Sequence, residues 1–481
     1  MGGLPVPPTT RIAAQDFYDF DKCPHRVYLN RFGDTKDRLP HSEFLNMLFE
    51  NALAHEQDVI AGLPYQTPSG TSLEERAAAT TELMKSGVER VYQAVFLQPD
   101  ESGIPDLIEK VQGASRFGDY FYRPADIKAG SGYKDAGKKT LRTDYGMQLF
   151  HYARLLEAAQ GFFPADADIL NRDRERILYP LDQFRDSYFA ALREIRALVT
   201  GTKTDEPALC GDCGACQWWG ICEKALVASN DVSLLPDVGR SKKTALNAAG
   251  IKSIEDITTF DFSRAPIKGI GQKAVQAMKR AAISVLSNKL QVLAKPGLPD
   301  PPCKIYLDFE DDPTQDLIYL CGMWIEPALD GQNYHGLFAP DSAGEARIWS
   351  DLQELCERLR TREYSVFHYS GYEKTKLDTL ERKYGFAYGD AVTIFRTRMF
   401  DLLPVVKQSV VVPARGYGLK RLAPFVSVKY SASNAGGAQS IVWFQQYQQD
   451  RRRTDLLKAL LTYNEEDCTA MKNVAEWLRA L

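Results

Sequence analysis

Residues 104–129 read IPDLIEKVQGASRFGDYFYRPADIKA. The two ends, 104–112 and 120–129, are rich in β-forming side chains around a glycine-bearing turn, which predicts an antiparallel hairpin. Asp106 falls on the first strand. Asp126 and Lys128 fall on the second, two residues apart and therefore on one face. Downstream, LRTDYGMQLFHYARLLEAAQ (141–160) has the periodicity of an amphipathic helix and stops at Gly161. Upstream, residues 10–95 read as helical, with Phe44, Leu48, Leu53 and Val59 at helical spacing. A hairpin between helices is the centre of a mixed α/β domain.

The chain has 481 residues, too many for one hydrophobic core, with 44% hydrophobic and 25% charged residues, as in an ordinary globular protein. No apolar run reaches the length of a bilayer span, and MGGLPVPPTT at the start lacks a signal-peptide layout, so the expected location is cytoplasmic. A net charge of −4 confines any attraction for nucleic acid to local basic patches. Lys134, Lys138, Lys139 and Arg142 make one; Lys242 and Lys243, then Lys273, Lys279 and Arg280, and Arg451 to Arg453 make the others.

Hydrolysis of a phosphodiester needs a divalent cation to activate water and neutralise charge, hence converging carboxylates beside a fixed positive charge. Asp106, Asp126 and Lys128 supply that set as an Asp…Asp-x-Lys pattern. His55, followed by Glu56, stands on the preceding helix. Gln148 and Tyr152 are one turn apart on the following helix, where both can face the hairpin. Gly132 to Lys138 satisfies G-x4-G-K, but Lys139 stands where a phosphate loop needs Ser or Thr, so no nucleotide site is expected.

Nine cysteines are unevenly spread. Cys210, Cys213, Cys216 and Cys222 crowd one segment, and the last three have the spacing C-x2-C-x5-C, which points to metal. The fourth ligand is Cys210 or the distant Cys23. With Asp106, Asp126, Lys128, His55 and the Q-x3-Y pair Gln148 and Tyr152, residues 10–225 resemble the RecB-like PD-(D/E)xK nucleases with iron–sulphur clusters, including AddB-type and RecB-like CRISPR-associated exonucleases. The resemblance implies a restriction-endonuclease-like α/β core over residues 1–227. It assigns a structural [4Fe–4S] cluster to Cys23, Cys213, Cys216 and Cys222, and Mg²⁺ or Mn²⁺ to His55, Asp106 and Asp126. Lys128, Gln148 and Tyr152 are the further catalytic residues. A zinc site is the competing reading of the thiols.

Residues 228–293 contain two similar units, around Gly239 and around Gly269–Gly271, that resemble helix-hairpin-helix motifs. This implies a small all-α segment whose glycine hairpins offer backbone N–H groups to phosphates, with Lys242, Lys243 and Lys273 adding charge. A proline-rich linker (AKPGLPDPP, 294–302) leads into a third region, 303–481. There Asp308 and Glu310 alternate along the strand KIYLDFE, and Tyr463 and Asp467 lie one helical turn apart. Together they resemble the ribonuclease H-like fold of DEDD (DnaQ-type) 3′–5′ exonucleases. That resemblance implies metal ligation by Asp308, Glu310, Glu373 and Asp467, with Asp401 a further acid and Tyr463 orienting the attacking water. Glu373 stands where the family has Asp.

The combined expectation is a multidomain α/β nuclease acting on single-stranded DNA ends, with DNA or RNA as substrate of the third region, in repair, recombination or defence. A helicase or similar protein is the expected partner, with no membrane. The alternative is a nucleic-acid-binding adaptor whose nuclease folds are inactive.

Overall fold

The computed structural model describes residues 11–135, 137–432 and 436–481. The opening MGGLPVPPTT and Ala136, inside the G-x4-G-K stretch, lie outside the described residues. The chain divides into two compact units, Met1–Ala225 and Leu226–Leu481. No helix among the described residues is long and apolar enough to cross a membrane.

In the first unit, helices α1 (Ala14–Lys22), α2 (Pro24–Phe32) and α3 (Glu43–Ala61) precede a five-stranded sheet. Its strands are β1 (Arg90–Tyr92), β2 (Leu107–Ser115), β3 (Gly118–Ile127), β4 (Asp166–Leu170) and β5 (Arg176–Pro180), side by side in chain order. β2 and β3 form the expected hairpin. Helix α4 (Thr143–Gln160) then carries the chain to β4, which pairs with β3 in parallel. α4 buries Leu149, Phe150, Ala153 and Leu156, and Gly161 ends it in a left-handed turn (φ 71°), a conformation glycine adopts without a Cβ penalty. The hairpin sits slightly later than the sequence suggested. Asp106 directly precedes β2 and Lys128 directly follows β3. Helices α5 (Arg185–Val199) and α6 (Trp219–Ala228) follow, with Cys210 to Cys222 between and at the start of the latter.

The second unit opens with α7 (Arg240–Ala248), α8 (Ile254–Thr259) and α9 (Gln272–Ser287). Gly239 and Gly271 stand at the N-caps of α7 and α9. Gln291 and Val292 pair with Val411 and Val410, so this helical segment and the region beyond the linker belong to one unit.

The second sheet has the order β8-β7-β6-β9-β10: β6 (Cys303–Asp312), β7 (Leu317–Leu329), β8 (Gln332–Phe338), β9 (Tyr364–His368) and β10 (Met399–Asp401). The first three are antiparallel neighbours; β9 and β10 join in parallel through helical crossovers. The period of two sorts β6 cleanly. Ile305, Leu307 and Phe309 enter the core beneath α10 (Ser342–Leu359), with Ile348 and Leu352. Tyr306 faces the other way, with Phe367, Cys468 and Met471, the last two on α14 (Thr454–Ala480). Asp308 and Glu310 continue the Tyr306 series and face α14. Cys303, Cys321, Cys356 and Cys468 are buried packing residues, as expected of scattered cysteines.

Candidate active sites

In the second unit, β6 and α14 bring three acids together. Ligand oxygens of Asp308, Glu310 and Asp467 lie within 4.8 Å of one another. Oxygens around one Mg²⁺ at about 2.1 Å stand at most about 4.2 Å apart, so a small inward movement completes a metal grip, and the all-carboxylate donor set suits Mg²⁺ or Mn²⁺. Burial, with the charges of Glu310, Asp467 and Glu373, pushes the Asp308 carboxyl far above its usual range. Burial and Asp467 push Glu310 up to about 8. Such mutual repulsion is what a bound cation relieves.

Each carboxylate is held by neutral donors. Asn464 Nδ2 donates to Asp308 at 2.7 Å, and the Asn464 oxygen accepts from Tyr334 at 2.8 Å. Tyr319 donates to Ser440 on α13 (Gly437–Gln449), and Ser440 donates to Glu310, both at 2.8 Å. Tyr430 donates to Asp467 at 2.7 Å, and Tyr463 also bonds to that carboxylate. Burial and the neighbouring acids keep the Tyr463 hydroxyl protonated, so it serves as a donor. None of Asn464, Ser440, Tyr319, Tyr430 or Tyr334 was expected from the sequence, although Asn464 adjoins Tyr463 in YNEED.

Asn464 reaches Asp308 because residue 322, opposite Asp308 in β7, is glycine. A Cβ there would lie 1.5 Å from the Asn464 oxygen. Gly322→Ala is expected to displace Asn464 and lower stability by about 2–3 kcal/mol, combining overpacking with broken buried hydrogen bonds. Urea unfolding checks this, and a loss under about 0.5 kcal/mol, the range of surface changes, contradicts it.

Glu373 and Asp401 do not join the triad's close group. Glu373, on α11 (Tyr372–Tyr384), is buried with its Oε2 3.4 Å from His368 Nδ1, although its charge is felt by Asp308. Asp401 Oδ1 accepts from the backbone of Ser370 at 2.9 Å and of Leu403 at 3.0 Å, capping α12 (Leu402–Ser409). The bonds of this oxygen fix a turn.

In the first unit, Asp106 and Asp126 interlock. The Asp106 N–H donates to Asp126 Oδ1 at 3.2 Å, and the Ile127 N–H donates to Asp106 Oδ2 at 2.7 Å. Lys128 Nζ lies 2.8 Å from Asp126 Oδ2 and over the Tyr145 ring. Burial and Asp126 push Asp106 up to about 8; burial opposes the Lys128 charge, but the two aspartates outweigh it and hold the ammonium charged. Tyr152 is buried and feels both aspartates. Gln148 donates to the Ala14 carbonyl at 3.3 Å, tying α4 to α1. His55 does not form a close ligand group with Asp106 and Asp126. The neighbouring Glu56, held by the Tyr92 hydroxyl at 2.7 Å, is the α3 group whose charge Asp106 feels.

Both acidic sites make the same pH prediction. Folded Glu310 and Asp106 keep a proton to about pH 8, while in the unfolded chain they lose it near 4.5 and 3.8. The folded state thus binds more protons, and the metal-free protein loses stability as pH rises through that window. Mg²⁺ should consequently raise Tm more at pH 8 than at pH 5; an equal rise contradicts the assignment.

The cysteines converge. Cys23, Cys210, Cys213, Cys216 and Cys222 line one pocket, with Lys22, His25, Arg26, Trp218 and Trp219. Cys210 and Cys213 sulphurs are 3.5 Å apart, and Cys210 also bonds to Cys23. The hydrogen bond with Cys210 holds the Cys213 thiol below its usual range, toward the thiolate a metal binds. Five thiols share a pocket where four ligands suffice, so Cys23 and Cys210 are both in place. Of the helical segment's lysines, Lys243 is buried against Asp231 at 2.5 Å and Lys242 donates to the Asp237 carbonyl, leaving Lys273 exposed beside Gly271.

The ribonuclease H superfamily model matches residues 305–479, a span containing Asp308, Glu310, Glu373, Asp401, Tyr463 and Asp467. No curated protein matches the chain. The C-terminal part of this chain is a ribonuclease H-like domain, and its fold and acidic triad suggest metal-dependent nuclease chemistry.

Proposed function

We propose that the protein is a metal-dependent nuclease with two hydrolytic centres, acting on single-stranded DNA ends and, at the C-terminal centre, on DNA or RNA. The convergence of Asp308, Glu310 and Asp467, each braced by a neutral donor, carries this reading. Mg²⁺ or Mn²⁺ bound there supplies charge neutralisation and a water of lowered pKa. Asp308, Glu310 and Asp467 hold the ion, and Glu373, whose charge Asp308 feels, is the fourth acid of the family pattern. Tyr463, kept protonated, orients the attacking water. Cleavage in the 3′–5′ direction follows the DEDD likeness.

The N-terminal unit is the RecB-like centre: Asp106 and Asp126 hold the metal, with Glu56 or His55 supplementing them. Lys128 orients water beside Asp126, and Tyr152 lies buried within the field of both aspartates. The five thiols of the pocket suit a [4Fe–4S] cluster on Cys213, Cys216, Cys222 and Cys23, with Cys210 as the spare. Residues 228–293 guide nucleic acid as helix-hairpin-helix repeats, and a helicase supplies the single strand in repair, recombination or defence, in the cytoplasm.

The test incubates anaerobically purified protein with end-labelled single- and double-stranded DNA and RNA in Mg²⁺ or Mn²⁺, beside Lys128→Ala and Asp308→Asn. Lys128→Ala should silence one activity by roughly a hundredfold or more, the scale of a lost transition-state charge, and leave the other. Wild-type inactivity on every substrate would favour the adaptor and sink the enzyme.

A further inference from the structure

We propose that Lys420 is a catalytic residue of the C-terminal centre, contacting the phosphate of a nucleotide held beside Asp308, Glu310 and Asp467. The inference rests on the hydrolytic reading of that centre. It concerns a residue that no motif singled out.

Lys420 lies on a single helical turn, Leu419–Leu422. Its ammonium is 4.6 Å from the centre of the Tyr463 ring and 5.1 Å from that of Tyr430. Those two tyrosines are the ones bonded to Asp467. The rings thus aim the lysine at the triad and limit its rotation, and Nζ is electrostatically engaged with Asp467, Glu310, Glu466 and Asp308. Gly436 also approaches the ammonium: a Cβ added there would stand 3.6 Å from Nζ. Lys420 itself is solvent-exposed, so an incoming ligand can reach it.

Charge counting gives the lysine its role. Three ionised carboxylates and one divalent cation sum to −1, and a phosphodiester brings another negative charge. Lys420 cancels one of these charges, so that the phosphate meets a less anionic centre, with Glu373 and Glu466 adding further negative charge nearby. A lysine is a compact ammonium suited to a single phosphate oxygen. It cannot ligate a metal while charged, which separates its duty from that of the three acids.

The test uses the full chain in a Lys128→Ala background, so that cleavage reports on the C-terminal centre. The probes are dTMP and UMP, whose affinity in Mn²⁺ is measured by calorimetry, with Mn²⁺ affinity followed by electron paramagnetic resonance. Lys420→Met should weaken mononucleotide binding about tenfold or more, the scale of one charge-assisted contact, and lower kcat further, while Mn²⁺ binds as well or better. Lys420→Arg should recover most of the mononucleotide affinity, and Lys420→Gln should behave like Lys420→Met. Unchanged mononucleotide affinity in Lys420→Met, or a parallel loss of Mn²⁺ affinity, overturns the proposal. A parent that binds dTMP through Lys420 but cleaves nothing would overturn the hydrolytic reading, and with it the catalytic role of Lys420, while keeping its phosphate contact; a parent that binds neither mononucleotide removes that contact and so the inference itself.

Discussion

Asp308→Asn is expected to lower cleavage by the C-terminal centre at least about a thousandfold, since a misplaced metal forfeits several kcal/mol of transition-state stabilisation at 1.36 kcal/mol per decade. The same substitution should make the metal-free protein more stable at pH 8. Asp308 is buried against Glu310 and Asp467, and ionising all three is costly. An amide keeps the oxygen that accepts from Asn464 Nδ2 and removes one charge. Each kcal/mol of relief raises Tm by about 2–4 °C in a domain of this size. The Tm gain from Mg²⁺ should shrink in the variant. A variant that loses activity while melting lower without metal would show that Asp308 holds the fold together and would count against its role as a ligand.

Cys216→Ser should remove the visible absorption of the anaerobically purified protein and weaken the N-terminal unit by about 5 kcal/mol, the cross-linking scale for a loop of roughly 200 residues. Cys23→Ser should do the same, because that thiol comes from the junction of α1 and α2, far upstream of the other thiols in the pocket. Cys210→Ser should stay coloured. A bleached Cys210→Ser beside a coloured Cys23→Ser reverses the assignment of ligand and spare; a colourless wild type with stoichiometric zinc removes the iron.

How far these centres were legible in the sequence follows the range of each interaction. Period-two alternation placed Asp308 and Glu310 on one face, and one helical turn placed Asp467 under Tyr463; both are short-range patterns. The hairpin was legible for the same reason, with its strand ends shifted a few residues by local pairing. What escaped were partners that meet only through the tertiary fold. Ser440 and Tyr430 reach the acids from separate segments, and Asn464 does so only because Gly322 leaves room. Asp401 and Gln148 have structural partners that no local pattern announced: Asp401 caps α12, and Gln148 ties α4 to the Ala14 carbonyl. Lys243, basic in sequence, is spent on Asp231 inside the helical segment.

The thiol pocket also constrains how the chain is made. Cys23 leaves the ribosome first, and Cys222 follows 199 residues later. At about 5–20 residues per second, the first thiol waits roughly 10–40 s for the last. During that interval α1 and α2 lack the segment that closes over them, and nascent chains stalled before Cys222 should be digested by protease in this region. Chains released a few tens of residues later should resist.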